Sequence, residues 1–118
     1  MYIAMPITGT SAGYMAQFGP REERILADAL QLYDDATEGD MSSDRPPEKT
    51  IRTAQILANR FETGTPRTVY TAAQIAIIYD ALELYTDQNG DSETARAIID
   101  AIRPAALAHY RPMWRSLL

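Results

Sequence analysis

The chain of 118 residues has no cysteine, one histidine and one lysine. Without thiols it can form neither a disulfide nor a thiolate metal site, and the redox compartment is left open. With His109 as its sole imidazole, a zinc site would fall to carboxylates, so no metal and no cofactor is expected. No apolar run approaches the roughly 20 residues of a membrane span. The opening MYIAMPIT lacks the basic stretch that begins a secretory signal. These absences point to a cytoplasmic protein with no membrane partner. Positive charge is also scarce: 11 Lys and Arg stand against 16 Asp and Glu, a net charge of −5. Nonspecific nucleic-acid binding depends on neutralising phosphates, so direct binding of nucleic acid is not expected.

With 46% hydrophobic residues, the length suits one domain able to bury about two thirds of its unfolded surface. Residues 1–19 carry no formal charge but do carry Tyr2, Ile3, Met5, Ile7, Tyr14, Met15 and Phe18. They read as an irregular apolar arm lying on the helices or on a second copy, ahead of a single helical domain over 20–118. Charge is segregated beyond the arm. Residues 20–44 hold eight acids and two bases, a net of −6, and residues 45–70 hold five bases and two acids, a net of +3. Residues 71–102 then fall to −5 and residues 103–118 rise to +3. Alternating blocks suit acidic and basic helices lying side by side, or faces that meet partners of opposite sign.

The stretch Thr71 to Gly90, TAAQIAIIYDALELYTDQNG, reads as the central helix. Thr71 and Gln74 fit a capping box, and Asn89-Gly90 supplies the stop. At about 100° per residue, Ile75, Ile78, Tyr79, Leu82 and Tyr85 form one apolar face opposite Asp80, Glu83 and Asp87. Ile77 and Leu84 form a second apolar stripe. A helix apolar on two sides lies between neighbours, so that stripe meets either another helix of the chain or a partner.

Four further helices are expected around it. The first runs from Pro20 to about Glu38, with Pro in the first turn and Glu22 and Glu23 at the positive dipole end. Its polar face includes Asp28, Asp34, Asp35 and Glu38. The second runs from about Pro47 to Glu62 and stops at Thr63-Gly64. Its core line is Ile51, Ala54, Leu57, Ala58 and Phe61. Lys49, Arg52 and Arg60 share another arc of about 80°, with the apolar Ile56 among them. Residues 65–70 read as an extended linker. After Gly90, Asp91 or Ser92 caps a helix that buries Ala95, Ile98, Ile99 and Ile102, and Pro104 opens a short final helix. The fold class is therefore all-α, a compact bundle of about five helices with an irregular N-terminal arm.

Two short strings invite chemistry. Gly9-Thr10-Ser11-Ala12-Gly13 matches G-x-S-x-G and, over those five residues, resembles the nucleophile motif of patatin-like and other serine hydrolases. The resemblance implies Ser11 as a nucleophile. No strands follow to build the parallel sheet that holds such an elbow, so the string also reads as a turn of small residues. Asp87, Asn89 and Asp91 occupy the first, third and fifth positions of a calcium loop, but the sixth is Ser92 and the twelfth is Ile98, where a bidentate Glu belongs. That junction reads as a turn and a cap.

No convergent acid, base, nucleophile or ligand set emerges, which points away from an enzyme. The leading expectation is a non-catalytic protein-interaction module, an adaptor or an inhibitor that occludes a partner protein. Its candidate contact residues are Ile56, Lys49, Arg52, Arg60, Ile77 and Leu84. One alternative is a homo-oligomeric structural protein. Another is an acidic DNA mimic, like small phage-encoded antagonists of nucleic-acid enzymes, presenting Asp28, Asp34, Asp35, Glu38, Asp80, Glu83 and Asp87 in place of phosphates. The remote alternative is a small serine hydrolase using Ser11.

Overall fold

A computed structural model of the chain describes residues 14–16, 18–38, 47–64, 69–90 and 92–117, with only the backbone at residue 15 and residues 108–117. In chain order the elements are β1 (Tyr14–Met15), α1 (Pro20–Glu38), α2 (Glu48–Thr63), β2 (Val69–Tyr70), α3 (Ala72–Asn89) and α4 (Glu93–Leu117). Among the described residues the architecture is an all-helical bundle of four helices, one fewer than the sequence suggests.

The difference lies at Pro104. It has no N–H for the Asp100 carbonyl four residues earlier, a loss that costs a helix interior about 3 kcal/mol. The helix nevertheless continues, because the turns on both sides of the proline are committed to the core. Ile98, Ile99 and Ile102 precede it, Ala105 and Ala106 follow it, and all five are buried. Breaking the helix at Pro104 would pull one of these groups off the other helices. Tertiary packing thus outweighs the local signal, and the expected last two helices are one.

The other helix ends follow local chemistry. The Thr71 hydroxyl accepts from the Gln74 N–H at 3.1 Å, and the Gln74 side-chain oxygen accepts from the Thr71 N–H at 2.9 Å, so both halves of the capping box form. Ser92 caps α4 by accepting from the Ala95 N–H at 3.4 Å. α2 ends on Gly64 at φ 71°, a left-handed position that strains any residue with a Cβ. At the start of α1, the Gly19 N–H donates to Glu22 Oε1 at 3.3 Å, which draws that carboxylate into a buried position.

α3 has neighbours on two sides. It packs on α1 and on α4, and α1 in turn packs on α2. Ile75, Ile77, Ile78, Ala81 and Leu82 are all buried, which accounts for the apolar circumference of this helix. The buried hydroxyls of α1 and α3 cause no deficit. Thr37 donates to the Tyr33 carbonyl at 2.9 Å, and Thr86 donates to the Glu83 carbonyl at 2.9 Å.

One feature has no counterpart in the sequence pattern. β1 and β2 pair antiparallel, with Tyr14 opposite Tyr70 and Met15 opposite Val69. The pairing brings Phe18 into an aromatic cluster with Phe61 of α2 and Tyr70 of β2, at centroid separations of 5.8, 5.8 and 6.3 Å. Ala16 is buried beside it in the same core. The segment before α1 is therefore attached to the bundle at least from Tyr14 onward. Residues 1–13, including Ser11 and the G-x-S-x-G string, lie outside the described residues.

Candidate functional site

α2 turns Ile51, Ala54, Leu57, Ala58 and Phe61 inward, and this fixes what its other side presents. Lys49, Arg52 and Ile56 are exposed and Arg60 is half-buried. Their spacing of three, four and four residues keeps them in one line along the helix. Ile56 sits at the middle of that line, with Arg52 and Arg60 one turn away on either side. It is 50% exposed, and the other exposed large apolar residue among those described is Val69 at 37%. None of Lys49, Arg52 and Arg60 is paired with a carboxylate among the described residues. The site is thus an apolar side chain framed by three cations with no ion-pair partner among the described residues, on a protein whose net charge is negative.

The other two candidates fall elsewhere. Ile77 is 6% exposed and belongs to the core, because α3 has helices on both sides. Leu84 is half-buried and packs against that core. The second apolar stripe of α3 is therefore covered largely by the chain's own helices, and neither residue joins the line on α2.

The candidate acidic residues lie on α1 and α3, partly exposed and partly at the seams between helices. Asp28, Asp35 and Glu38 are exposed on α1, and Asp34 is half-buried there. Asp34 Oδ1 accepts from Gln55 Nε2 at 2.9 Å, which ties α1 to α2, and Asp35 Oδ1 accepts from Gln31 Nε2 at 3.1 Å. Asp80 and Glu83 are half-buried on α3, with Asp87 exposed toward its end. Burial raises the pKa of the Tyr33 phenol, and the Asp80 charge raises it further, which places Asp80 at the α1–α3 contact. The Arg103 guanidinium is held more firmly charged by its hydrogen bond to Tyr79, with Asp100 at 3.3 Å and Glu83 adding to the effect. Glu83 thus belongs to the α3–α4 seam, while Asp34 belongs to α1–α2.

Hollows open on the surface formed by the described residues. One, of about 570 Å³, lies between α1 and the end of α2, lined among others by Glu23, Arg24, Asp28, Phe61 and Glu62. Another, of about 500 Å³, lies where α1 and α4 begin, beside Glu22 and Glu93. Neither gathers a nucleophile, a base and a donor set. Among the described residues no group of three or more His, Asp or Glu side chains is arranged to hold a metal. Asp91, needed for the calcium-loop pattern, and the His109 side chain lie outside the described residues. Among the described residues no helix is long and apolar enough to cross a membrane.

No local pattern marks Val69 or the aromatic cluster, and Glu22 reads only as a carboxylate at the positive dipole end of α1. Glu22 carried a usable signal, since a glutamate three residues after the helix-capping position can reach back to that position's N–H. Val69 and the cluster depend on strand pairing between residues some 55 positions apart, Tyr14 with Tyr70 and Met15 with Val69, which no local pattern encodes. Comparison with protein families, with curated proteins and with solved structures finds no match for this chain.

Proposed function

We propose that the protein is a non-catalytic protein-interaction module, an adaptor or an inhibitor acting by occlusion, whose contact face is the outward side of α2. The observation that carries this reading is Ile56, half exposed at the centre of Lys49, Arg52 and Arg60. Covering its remaining surface is worth about 1 kcal/mol, half of the usual gain for a large aliphatic side chain. The surrounding cations then set orientation and encounter rate against an acidic partner surface. Arg is well suited to this role, because its planar guanidinium is weakly hydrated and pairs with carboxylates through two hydrogen bonds.

A single apolar contact with three charges describes a small and reversible interface, in keeping with regulation by capture and release. The test is recovery of a partner on immobilised protein at low and high salt, comparing wild type with Ile56→Asp. Loss of the partner with an unchanged helical circular dichroism signal supports the reading. Equal recovery by both proteins overturns it.

A further inference from the structure

We propose that the outward face of α2 is occupied by the outer flank of α1 on a second copy of the chain, in a head-to-tail contact. This rests on the reading of that face as an interaction surface and names its occupant. The argument is complementarity in both charge and spacing. On α2, Arg52, Ile56 and Arg60 follow one another at four-residue steps. On α1, Asp28, Leu32 and Ala36 do the same, with Asp35 beside them. Asp28, Asp35 and Ala36 are exposed and Leu32 is half-buried. Asp28, like the three cations of α2, has no ion-pair partner among the described residues.

Laid antiparallel, the two helices put Ile56 on Leu32, Arg60 at Asp28, and Arg52 at Asp35 and Ala36. The charge separations agree, since eight residues of helix span about 12 Å and seven span about 10.5 Å. The α2 face cannot dock on its own copy, because that would set three cations against three. In a head-to-tail contact each pair of copies joins one α2 face to one α1 flank, and no two-fold axis closes it. A joined pair therefore keeps one face of each kind free, one on each copy, and the assembly grows with concentration until a ring closes or the chain ends.

The experiment is light scattering of the full-length protein across a concentration series at moderate salt. Three samples are compared: wild type, the pair Arg52→Glu with Arg60→Glu, and the pair Asp28→Lys with Asp35→Lys. The wild-type mass should rise steadily above the monomer value of 13.1 kDa. Each charge-reversed protein should remain at that value, because its two faces then carry the same sign. An equimolar mixture of the two should regain the rise, since each reversed face meets its complement. Single Arg52→Glu is the substitute if the double change disturbs folding, because Arg52 is exposed. A wild-type mass of 13.1 kDa throughout, growth that stops at a dimer, or reversed variants that still assemble would each overturn the proposal. If wild type stays monomeric while Ile56→Asp still loses a captured protein, the face is an interaction surface and the second copy is not its occupant.

Discussion

The ring of Phe18 meets the ring of Tyr70 edge-on, with centroids 5.8 Å apart and planes at 66°. Edge-to-face pairs of this kind add about 0.5–1.5 kcal/mol to the gain from burial. Here the pair joins the segment before α1 to the strand before α3, and Phe61 extends the joint to the end of α2. Three parts of the chain that are distant in sequence thus depend on one small cluster. Phe18→Ala should lower stability by about 2 kcal/mol, somewhat below the range for a fully buried phenylalanine. In thermal unfolding this corresponds to a drop of about 6–10 °C for a domain of this size. An unchanged midpoint would mean that the segment before α1 contributes nothing to the fold.

Pro104 offers a direct test of the four-helix architecture. Within a continuous α4, Pro104→Ala restores an N–H to the Asp100 carbonyl and removes a ring clash, so stability should rise by about 1–3 kcal/mol. If a separate helix began at this residue, the proline would occupy the favourable first position. Its replacement would then leave stability unchanged or lower it. Urea unfolding of the two proteins decides between these outcomes.

The ends of α3 and α2 make separable predictions. Thr71→Ala removes the hydroxyl that accepts from Gln74 and should cost about 1 kcal/mol. Gly64→Ala introduces a Cβ at φ 71° with no atom within 4 Å, so any loss, expected at about 1 kcal/mol, is conformational rather than a clash. Gly64→Asn should cost less than Gly64→Ala, because asparagine tolerates the left-handed region. The reverse order in denaturant unfolding would contradict the assignment of Gly64 as the cap.

The pH dependence at the alkaline end has a definite sign. The Tyr33 phenol titrates above its ordinary value of 10.0, first because it is buried and then because Asp80 is near. The folded protein therefore holds this proton more tightly than the unfolded chain does. The resulting stability is fully present below pH 10.0 and is lost as pH rises through the folded value. Tyr33→Phe should flatten part of that decline, as measured by unfolding free energy against pH. An identical slope in both proteins would remove Tyr33 from the account.

Much of this fold is legible in the sequence where local chemistry and burial agree. α1 begins at Pro20 and ends at Glu38, and α3 carries both halves of the Thr71–Gln74 box, as the residues indicate. The failures have physical causes. Pro104 reads as a start because local propensity treats it alone, whereas Ala105 and Ala106 make the continuation part of the core. The pairing of Tyr14 with Tyr70 joins strands of two residues each, too short for any period to appear. For the candidate surface, the sequence placed Ile56 among Lys49, Arg52 and Arg60. It showed the stripe of Ile77 and Leu84 equally clearly, but a stripe does not reveal which neighbour covers it. Only the positions of α1 and α4 beside α3 show that Ile77 lies inside.

The measurement closest to the central claim is hydrogen–deuterium exchange of the protein, free and in complex with its captured partner or its own second copy. Contact through the outward face of α2 should slow exchange in peptides spanning residues 49–60, as the partner suppresses local opening of that helix. Peptides covering residues 77–84 of α3 should exchange alike in both states. Unchanged exchange across residues 49–60, with slowing confined to α3 and α4, would place the interaction surface elsewhere and contradict the role assigned to Ile56.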